Sequence, residues 1–577
     1  MQDLSLQVRE IDGIEIDQTD RADSRGSEIQ RRGRTKAAGS NEEHPCALQR
    51  ALAAFSNLGE QYVAAITNQL VAIESGVLAV GFGLSGHDIL KIHRATLRGA
   101  FSRMIFKRFY DENLAQASYL IGCEKSREGI VVDPGLDFDE YERAAAAERL
   151  RITHVVETHI HADFVSGSRG LADKVGATLH LSSEGGGDWG YTENAMQGAI
   201  PLSDGGEIGI GDVLLEASHT PGHTPEHVTL IVTDRKRGAT PVGALTGDFI
   251  FVGDVGRPDL LERAVGAAGN AGQSAAELYR SIQGFKSRPD HLQLWPGHGA
   301  GSACGKALGA APQTTLGYER LFNWAFQDMN ESQFIAKALE HQPVPPRYFA
   351  EMKKLNRDAT RLPPPADVPG TGADGLSAAL ERGATVVDTR PATQFAEKHI
   401  ARTINVPLGK SFLTWMGALV PYDRDLYVIV EGDATAAKSV AGQLRKIGLV
   451  RVVGYADADV VDVWSARQTK VRQVQQVDVE NLDSRRRNGG VQIIDVRSPE
   501  EWAAGHLPGA VHIPLAALPD RVAEIDAGTP VVVHCQGGGR SAIAASFMKS
   551  KGLDSVANLE GGFDAWRARD LPVERDP

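Results

Sequence analysis

Two stretches in the C-terminal part of the chain repeat one another closely enough to restrict the fold of that whole region. ATVVDTRPATQFAEKHIARTINVPL matches VQIIDVRSPEEWAAGHLPGAVHIPL, so that Asp388 recurs as Asp495. Two copies roughly 100 residues apart indicate tandem domains, because a solenoid needs at least three shorter repeats. Each copy alternates strand-like and helix-like segments. The repeat therefore predicts two small parallel α/β domains, over residues 371–470 and 475–577.

The preceding part of the chain has the pattern of one larger α/β domain. Short apolar runs such as GIVVDPG, ITHVVETH, VLLEASH and HVTLIVTD are rich in β-branched residues and end in glycine, proline or polar residues, which is typical of strands. Helical patterns lie between them, which predicts a layered domain over residues 104–366, followed by the proline-rich linker LPPPADVPGTGADG. Residues 1–103 form an N-terminal extension, expected to be disordered over residues 1–45 and helical over residues 46–103.

Composition restricts where such a chain works and what it binds. The 577 residues carry 61 Lys and Arg against 74 Asp and Glu, so the formal net charge is −13 and nucleic acid is not an expected partner. Four cysteines without a CxxC spacing indicate a reducing compartment. The sequence contains neither an apolar run of about 18 residues nor a secretory signal. These features predict a cytoplasmic protein without a membrane span, and they leave open whether it forms a homo-oligomer.

Histidine and aspartate residues cluster four times just after an apolar run. THIHAD follows ITHVVE, HTPGHTPEH follows VLLEAS, TGD follows a third run and PGHG follows HLQL. Because sites in α/β sheets commonly lie where strands end, all four clusters are expected to converge on one edge of the sheet. Neutral imidazole and carboxylate groups suit Zn, Fe or Mn, and no cysteine lies near enough in sequence to join them. The pattern predicts a metal site.

These segments resemble the metallo-β-lactamase fold. THIHADFVSG, HTPGHTPEH, TGDFIFVGDVGRPDL and PGHGAGSACGK are similar to motifs of that superfamily and, within it, of the persulfide dioxygenases, over about residues 104–360. The resemblance implies an αββα sandwich with the metal at one edge. It also implies that His159, His223 and Asp248 are iron ligands. Two histidines and one carboxylate form the facial triad of non-haem Fe(II) oxygenases, which leaves positions for substrate and O₂.

The other polar residues of these motifs are assigned supporting roles. His161, Asp163 and His298 are expected either to orient ligands or water from outside the metal or to be alternative metal ligands. Arg257 is expected either to bind a substrate carboxylate or to be a solvated surface residue. Cys304 has no histidine motif of its own and is predicted to be structural.

One position departs from the hydrolases of the superfamily. Those enzymes carry HxHxDH, whereas Phe164 replaces the last histidine with a ring that cannot bind a metal. A dinuclear zinc hydrolase of the glyoxalase II kind loses a ligand at this position, but a mononuclear site does not need it. The sequence therefore predicts one Fe(II) per chain, with Zn as the alternative.

A reactive cysteine is predicted in the second repeat. Cys535 ends the run VVVHC and precedes QGGGRSAIAASF, so backbone N–H groups at a helix N-terminus and the adjacent Arg540 can stabilise its thiolate. This region resembles the rhodanese sulfurtransferases, whose loop has the length C-x4-R, whereas related phosphatases use C-x5-R. In the first repeat Glu431 stands at the cysteine position, and no loop arginine follows. The first copy is therefore predicted to be an inactive rhodanese domain with a structural role.

Together the two resemblances predict a bifunctional enzyme of sulfide oxidation. The metal domain is expected to oxidise a thiol persulfide, glutathione persulfide by resemblance, with O₂ to sulfite and free thiol. Cys535 is expected to move sulfane sulfur between thiol persulfide and sulfite or thiosulfate, and the fusion raises the local concentration of the shared compounds. Two alternatives remain open: a zinc thioester hydrolase of the glyoxalase II type, and a non-enzymatic persulfide carrier or sensor.

Overall fold

The computed structural model describes residues 103–575, except 261, 263–268, 307, 341, 343–344, 366 and 468–470. The helices and disorder predicted for the N-terminal extension therefore lie outside the described residues. In the part of the chain that is described, no helix is both long enough and apolar enough to cross a membrane.

Two six-stranded sheets form the first large domain. The first sheet has the order β1-β2-β3-β4-β5-β6, antiparallel from β1 to β3 and parallel from β3 to β6. The second has the order β12-β11-β10-β9-β8-β7 and is antiparallel except for the parallel pair β10–β11. The strands are β1 Met104–Asp111, β2 Gln116–Cys123, β3 Glu128–Val132, β4 Arg151–Val156, β5 Thr178–Ser182, β6 Ala199–Leu202, β7 Glu207–Ile210, β8 Val213–His219, β9 Val228–Asp234, β10 Gly243–Gly247, β11 Gln293–Pro296 and β12 Thr314–Thr315.

Helices cover the outer face of each sheet. Successive side chains of a strand point to opposite faces, so each strand packs one set of apolar residues between the sheets and the other set against the helices. Leu230 packs between the two sheets, whereas the next residue, Ile231, packs outward against Leu278 of α5. On the other side, Leu120 packs outward against Leu171 of α2. The layers are helix, sheet, sheet and helix, which confirms the predicted αββα sandwich. The helices of this region are α1 Phe138–Ala147, α2 Ser168–Val175, α3 Gly186–Trp189, α4 Glu193–Met196, α5 Asn270–Phe285, α6 Leu316–Phe322, α7 Glu331–Leu339 and α8 Tyr348–Arg357, with a 3-10 turn at Trp324–Phe326.

The two repeats each form a small parallel sheet, as predicted. The strand order of the sheet in the first repeat is β15-β13-β16-β17, and that of the sheet in the second repeat, read in the same direction, is β21-β20-β22-β23-β19. The first four strands of each order are therefore equivalent, and β19 is an additional edge strand. In the first repeat, β14 and β18 form a separate antiparallel pair. The first repeat contains α9 Ala373–Glu381, β13 Thr385–Asp388, α10 Ala392–Glu397, β14 His399–Ile400, β15 Ile404–Asn405, α11 Phe412–Leu419, β16 Leu426–Val430, α12 Ala434–Arg445, β17 Val452–Asp457, α13 Val460–Ala466 and β18 Val471–Arg472. The second contains β19 Gln475–Val477, α14 Val479–Arg487, β20 Gln492–Asp495, α15 Pro499–Ala503, β21 Ala510–His512, α16 Leu518–Arg521, β22 Val531–His534, α17 Gly539–Ser550, β23 Val556–Leu559 and α18 Gly562–Arg567, with 3-10 turns at Leu515–Ala517 and Val522–Glu524.

The residues that recur between the repeats have a structural explanation. Arg390 pairs with Asp388 at 2.6 Å, and Arg497 pairs with Asp495 at 2.6 Å. Each aspartate ends a buried strand, and its arginine folds back onto it two residues later. A buried carboxylate needs such a partner, since an unpaired charge there is costly. The shared DxR pattern therefore fixes the turn that leaves each first strand.

The first repeat contacts both of its neighbours. The Val165 N–H, in the loop that follows β4, donates to the Lys446 carbonyl at 2.7 Å, and the Lys446 ammonium pairs with Asp111 at 2.5 Å. On its other side, the Asn405 N–H donates to the Ser546 hydroxyl of α17 at 2.9 Å. One buried apolar cluster includes residues from the metal-loop segment and from both repeats. The three parts therefore share a core.

Candidate metal centre and reactive cysteine

The predicted metal-binding clusters meet at one end of the sandwich, but they leave from both sheets. The clusters after β4 belong to the first sheet, whereas those after β8, β10 and β11 belong to the second. The expectation that all four clusters lie at the edge of one sheet was wrong, because the strands that precede them are divided between two sheets. His159, His223 and Asp248 come together, with ligand atoms within 4.8 Å of one another, and all three are buried.

Two imidazole nitrogens face one oxygen of Asp248. Its Oδ2 lies 3.4 Å from His223 Nε2 and 3.8 Å from His159 Nε2. His159 Nε2 and both carboxylate oxygens of Asp248 are buried without a hydrogen-bond partner. Such atoms are costly to bury unless they coordinate something.

The hydrogen bonds behind the two rings assign their tautomers. His223 Nδ1 lies 3.0 Å from the Arg257 carbonyl, which can only accept, so Nδ1 carries a hydrogen. His159 Nδ1 lies 3.0 Å from the Thr158 hydroxyl, whose own hydrogen goes to Asp133 at 2.8 Å. His159 Nδ1 is therefore also a donor. Both Nε2 atoms are left with a lone pair directed at the space beside Asp248, the arrangement that a metal-binding histidine requires.

Electrostatics favour the same reading. Burial lowers the pKa of His159 and of His223 well below the usual value, which keeps both rings neutral. Burial also raises the pKa of Asp248 to about 6. A carboxylate and two neutral imidazoles with partnerless donor atoms fit a divalent cation such as Zn or Fe.

His227 supports this site, although sequence reasoning did not single it out. Its Nε2 accepts the Asp248 N–H at 3.1 Å, and its Nδ1 lies 2.9 Å from the Thr220 hydroxyl. The ring is fully buried, and burial lowers its pKa to about 3. A neutral His227 thus fixes the backbone of Asp248. The HTPGHTPEH motif contains this residue, but its spacing does not distinguish a ligand from a group that positions one.

His161 lies beside the site and directs its Nε2 at two carboxylates. Its Nε2 is 2.9 Å from Glu157 and 3.3 Å from Asp133, and the three residues form a separate buried cluster. Although burial opposes the charge, the two carboxylates raise the pKa of His161 well above its usual value. Its ring packs 4.2 Å from that of His159. Its Nδ1 is buried without a hydrogen-bond partner among the described residues, so the role of His161 as an alternative ligand of the same metal stays a prediction.

Asp163 and His298 form a third buried group, and Cys304 belongs to it. His298 Nε2 lies 3.2 Å from Asp163 and 3.5 Å from Asp248 Oδ1, and the Cys304 sulfur lies within 4.8 Å of the ligand atoms of Asp163 and His298. The expectation that no cysteine joins the clusters was therefore wrong. The chain after β11 turns back toward the site, and this turn is not visible in the spacing of the motifs.

Arg257 is buried, so the alternative of a solvated surface arginine was wrong. The side chain is 1% exposed, and its guanidinium makes two bonds to Asp259, at 2.7 and 2.8 Å, and one to the Ala303 carbonyl at 3.3 Å. The guanidinium is not solvated, and its predicted contact with a substrate carboxylate stays a prediction. Its contribution to the site is its backbone carbonyl, which holds the ring of His223.

The Cys535 loop has the predicted shape. Cys535 is buried, and its sulfur accepts the Gly538 N–H at 3.2 Å and the Ser541 hydroxyl at 3.4 Å. Arg540 forms a two-point ion pair with Glu501, at 2.6 and 2.7 Å. A paired arginine holds the loop in place and still leaves its positive charge beside the sulfur.

In the corresponding loop of the first repeat, backbone N–H groups donate to carboxylates. Glu431 is exposed, and the next residue, Gly432, donates its N–H to Asp457 at 3.1 Å. Asp433 accepts the N–H of Thr435 at 2.8 Å as the cap of α12. Carboxylates therefore accept N–H groups of this loop, and the position of the cysteine is taken by an exposed glutamate.

Two openings lie beside these groups. A cavity of about 380 Å³ is lined by His159, Tyr191 and Arg169, and also by Arg445 of the first repeat. A groove of about 950 Å³ is lined by glycines 537–539 of the cysteine loop and by residues of α10 in the first repeat. The first repeat thus forms one wall of each opening.

Sequence profiles of two families match the chain. The profile of the metallo-beta-lactamase superfamily matches residues 112–298, and that of the rhodanese-like domain matches residues 372–462 and 478–569. The crystal structure of a metallo-beta-lactamase from Staphylococcus aureus subsp. aureus COL is 41% identical, with a TM-score of 0.56, over 61% of this chain and 99% of that chain. This likeness extends well beyond the residues that the metallo-beta-lactamase profile covers.

Two curated relatives match separate parts of the chain. The mitochondrial persulfide dioxygenase ETHE1 of Bos taurus is 26% identical over 205 residues, which are 35% of this chain and 70% of the relative. The thiosulfate sulfurtransferase GlpE of Stutzerimonas stutzeri is 40% identical over 81 residues, which are 14% of this chain and 74% of the relative.

Proposed function

Because the chain belongs to the metallo-β-lactamase superfamily and carries two rhodanese-like domains, we propose that it is a persulfide dioxygenase with an attached sulfurtransferase. The metal domain oxidises a low-molecular-weight thiol persulfide. One persulfide, one O₂ and one water give one thiol, one sulfite and two protons. The relative named as a persulfide dioxygenase supports this assignment of the metal domain.

The observation that carries the proposal is the trio His159, His223 and Asp248. Two neutral imidazoles and one carboxylate converge, and Phe164 stands where a further imidazole of a dinuclear hydrolase would be. Three protein ligands leave coordination positions for both a persulfide sulfur and O₂. When bound, Fe(II) supplies the redox chemistry that joins these two reactants.

The protein groups around the trio keep it in place. The Thr158 hydroxyl and the Arg257 carbonyl hold the two rings in the tautomer that presents Nε2, and His227 holds the backbone of Asp248. His159, His223 and Asp248 are buried, which limits the access of water to these hydrogen bonds. Supporting contacts of this kind commonly change metal affinity about 10- to 100-fold when they are removed.

The cavity beside His159 suits a small anionic thiol carrier. Its volume of about 380 Å³ lies at the lower end for small-molecule sites. Arg169 donates to the Ala195 carbonyl, and Arg445 donates to the carbonyls of Leu362 and Pro363. Their positive charges thus remain available to a carboxylate of the carrier. Glutathione persulfide, with two carboxylates, is the carrier that we propose.

Sulfur transfer takes place at Cys535. The thiolate attacks the outer sulfur of thiosulfate, a new S–S bond forms on Cys535, and sulfite leaves with the electron pair of the broken bond. In the reverse direction, sulfite accepts the outer sulfur of the Cys535 persulfide and becomes thiosulfate. Sulfite produced at the metal site is therefore a substrate of the second site.

Metal analysis combined with an oxygen-electrode assay on glutathione persulfide tests the first activity. We expect about one iron per chain and persulfide-dependent O₂ uptake, both lost in His223→Ala. Two zinc ions per chain, thioester hydrolysis and no persulfide-dependent O₂ uptake would instead establish the hydrolase. A thiol-to-persulfide exchange without O₂ uptake in iron-loaded protein would indicate a carrier.

Cys535→Ser tests the second activity. The variant should lose thiosulfate-to-glutathione sulfur transfer and should keep measurable O₂ uptake, because its sulfur lies in a different domain from the metal trio. Equal loss of both activities in a folded variant would contradict two separable sites.

A further inference from the structure

Lys353, in α8, is buried although its side chain ends in an ammonium group. The residue is 6% exposed, and its Nζ has no hydrogen-bond partner among the described residues. Moving an ammonium group out of water is costly, so a buried lysine is normally paired with an anion. The position of Lys353 therefore calls for a negatively charged partner.

The face of α8 that carries Lys353 is turned toward the loop of the metal-binding histidines. Residues three apart on a helix are neighbours on one face, and Asn356 lies three residues after Lys353. The side-chain amide of Asn356 donates to the carbonyls of His161 and Phe164, at 2.8 and 2.7 Å. Asn356 also lines the cavity beside His159. Lys353 thus points from α8 toward the metal domain's site.

The charge of Lys353 acts on groups from several segments of this site. Burial is the main cause that lowers the pKa of His159 and of His223, and the positive charge of Lys353 lowers both further. Burial lowers the pKa of Lys353 itself, whereas the negative charges of Glu226 and Cys304 raise it. An ammonium group that acts on all of these residues lies beside the metal trio.

Glu226 does not pair directly with Lys353. Its Oε1 accepts the Ile160 N–H at 2.8 Å, which holds the loop between the two histidines. Its Oε2 is buried and, like Lys353 Nζ, has no hydrogen-bond partner among the described residues. A gap therefore separates these two opposite charges, and no described group completes the hydrogen bonds of the ammonium.

A divalent cation at the trio would make the position of Lys353 still less favourable. Two positive charges in one buried region repel each other, and salt screens this repulsion much less than it would at the surface. An anion bound between the metal and the ammonium replaces the repulsion by two attractions. The deprotonated persulfide and the sulfite of the proposed reaction are both anions.

We propose that Lys353 is a substrate-binding residue, whose ammonium donates a hydrogen bond to the anionic sulfur compound held at the metal trio. The inference rests on the proposed function of the metal domain and adds a selectivity to it. A persulfide anion gains an ion pair with Lys353, whereas a neutral disulfide or thioester does not. The interaction is electrostatic, and no covalent bond to Lys353 forms or breaks.

Sulfite titration of reduced, cobalt-loaded full-length protein without oxygen tests the proposal, because the visible spectrum of Co²⁺ reports an anion that binds to the metal. Lys353→Met and Lys353→Gln should bind sulfite about 10- to 100-fold more weakly than the wild type, the loss expected for a hydrogen bond to a charged group. Both variants should bind Co²⁺ at least as tightly as the wild type, because a repelling charge has been removed. Thermal unfolding shows whether each variant is folded.

Lys354→Met is the matched control, because Lys354 is the next residue of α8 and is exposed. This variant should keep the sulfite affinity of the wild type. The inference is overturned if the wild type does not bind sulfite, or if both Lys353 variants bind it as tightly as the wild type. Joint loss of Co²⁺ affinity and thermal stability in these variants would overturn it too, since Lys353 would then be structural.

The proposed reaction is tested separately by the oxygen electrode. Sulfite binding that depends on Lys353, without persulfide-dependent O₂ uptake by the iron-loaded wild type, would count against the reaction and would leave the anion-binding role of Lys353 standing.

Discussion

Gly256→Ala should dismantle the metal trio while leaving the fold intact. A Cβ at residue 256 would lie 1.8 Å from the Asp248 carbonyl oxygen and 3.0 Å from the His223 Cβ. Ordinary contact would require the Asp248 backbone to move by more than about 1 Å, whereas metal ligands tolerate displacements of about 0.5 Å. Misplacement by about 1 Å typically costs about 100-fold in rate. We expect iron content well below one per chain and O₂ uptake reduced about 100-fold.

Gly284→Ala is the matched control for this substitution. Gly284 lies in α5, where an added Cβ meets nothing within 4 Å, so alanine should stabilise the helix by about 0.5–1 kcal/mol. Iron analysis, an oxygen electrode and thermal unfolding followed by circular dichroism are measured on both variants. Sulfur transfer at Cys535 should be normal in both. Full iron content and near-normal O₂ uptake in Gly256→Ala would refute the argument that this glycine is required for close approach to the ligands.

Three further predictions concern the repeats. Burial lowers the pKa of His399 to about 4. Between about pH 6.5 and 4, this histidine is therefore protonated in the unfolded chain and neutral in the folded domain. His399→Gln should therefore remove up to about 2 kcal/mol of the stability lost between pH 7.5 and 5, measured by hydrogen exchange in the first repeat; an unchanged pH slope would contradict this. Glu501→Gln should slow sulfur transfer, because it weakens the ion pair that holds Arg540, and it should leave O₂ uptake unchanged. A sulfur-transfer rate equal to that of the wild type would refute a role for this ion pair. Glu431→Cys, combined with Cys535→Ser, should not restore thiosulfate-to-glutathione transfer, and near-normal turnover would show that the first loop can still activate a thiolate.

Much of the fold follows from the periodicity of the sequence. The runs ITHVVE and HVTLIVTD form β4 and β9, and the repeat forms two sheets whose equivalent strands follow the same order, with β19 as an additional edge strand in the second. Short strands such as β12, with two residues, carry no periodic signal and were not predicted. The division of the strands between two sheets depends on contacts between distant segments, which local patterns do not encode.

The candidate site was predictable to the extent that its residues follow strands. His159, His223 and Asp248 each come directly after an apolar run, so their convergence was expected. The position of Cys304 depends on the path of a loop after β11, and the partners of Arg257 depend on burial. Neither property has a counterpart in motif spacing. A lone cysteine and a lone arginine were therefore assigned on general grounds, and the structure shows that both are buried.

The contacts of the first repeat suggest what a domain without a cysteine at the loop position contributes to a chain with two proposed sites. The Val165 N–H, two residues after Asp163, is bonded to the end of α12 through the Lys446 carbonyl, and Arg445 lines the cavity beside His159. On the opposite side, Asn405 is bonded to α17, the helix that begins in the Cys535 loop. A change in the first repeat therefore reaches the supporting segments of both sites. Buried apolar contacts and hydrogen bonds join the repeat to both neighbours. Its removal would therefore expose a shared apolar core and break the hydrogen bond between Val165 and Lys446 that supports the loop carrying Asp163.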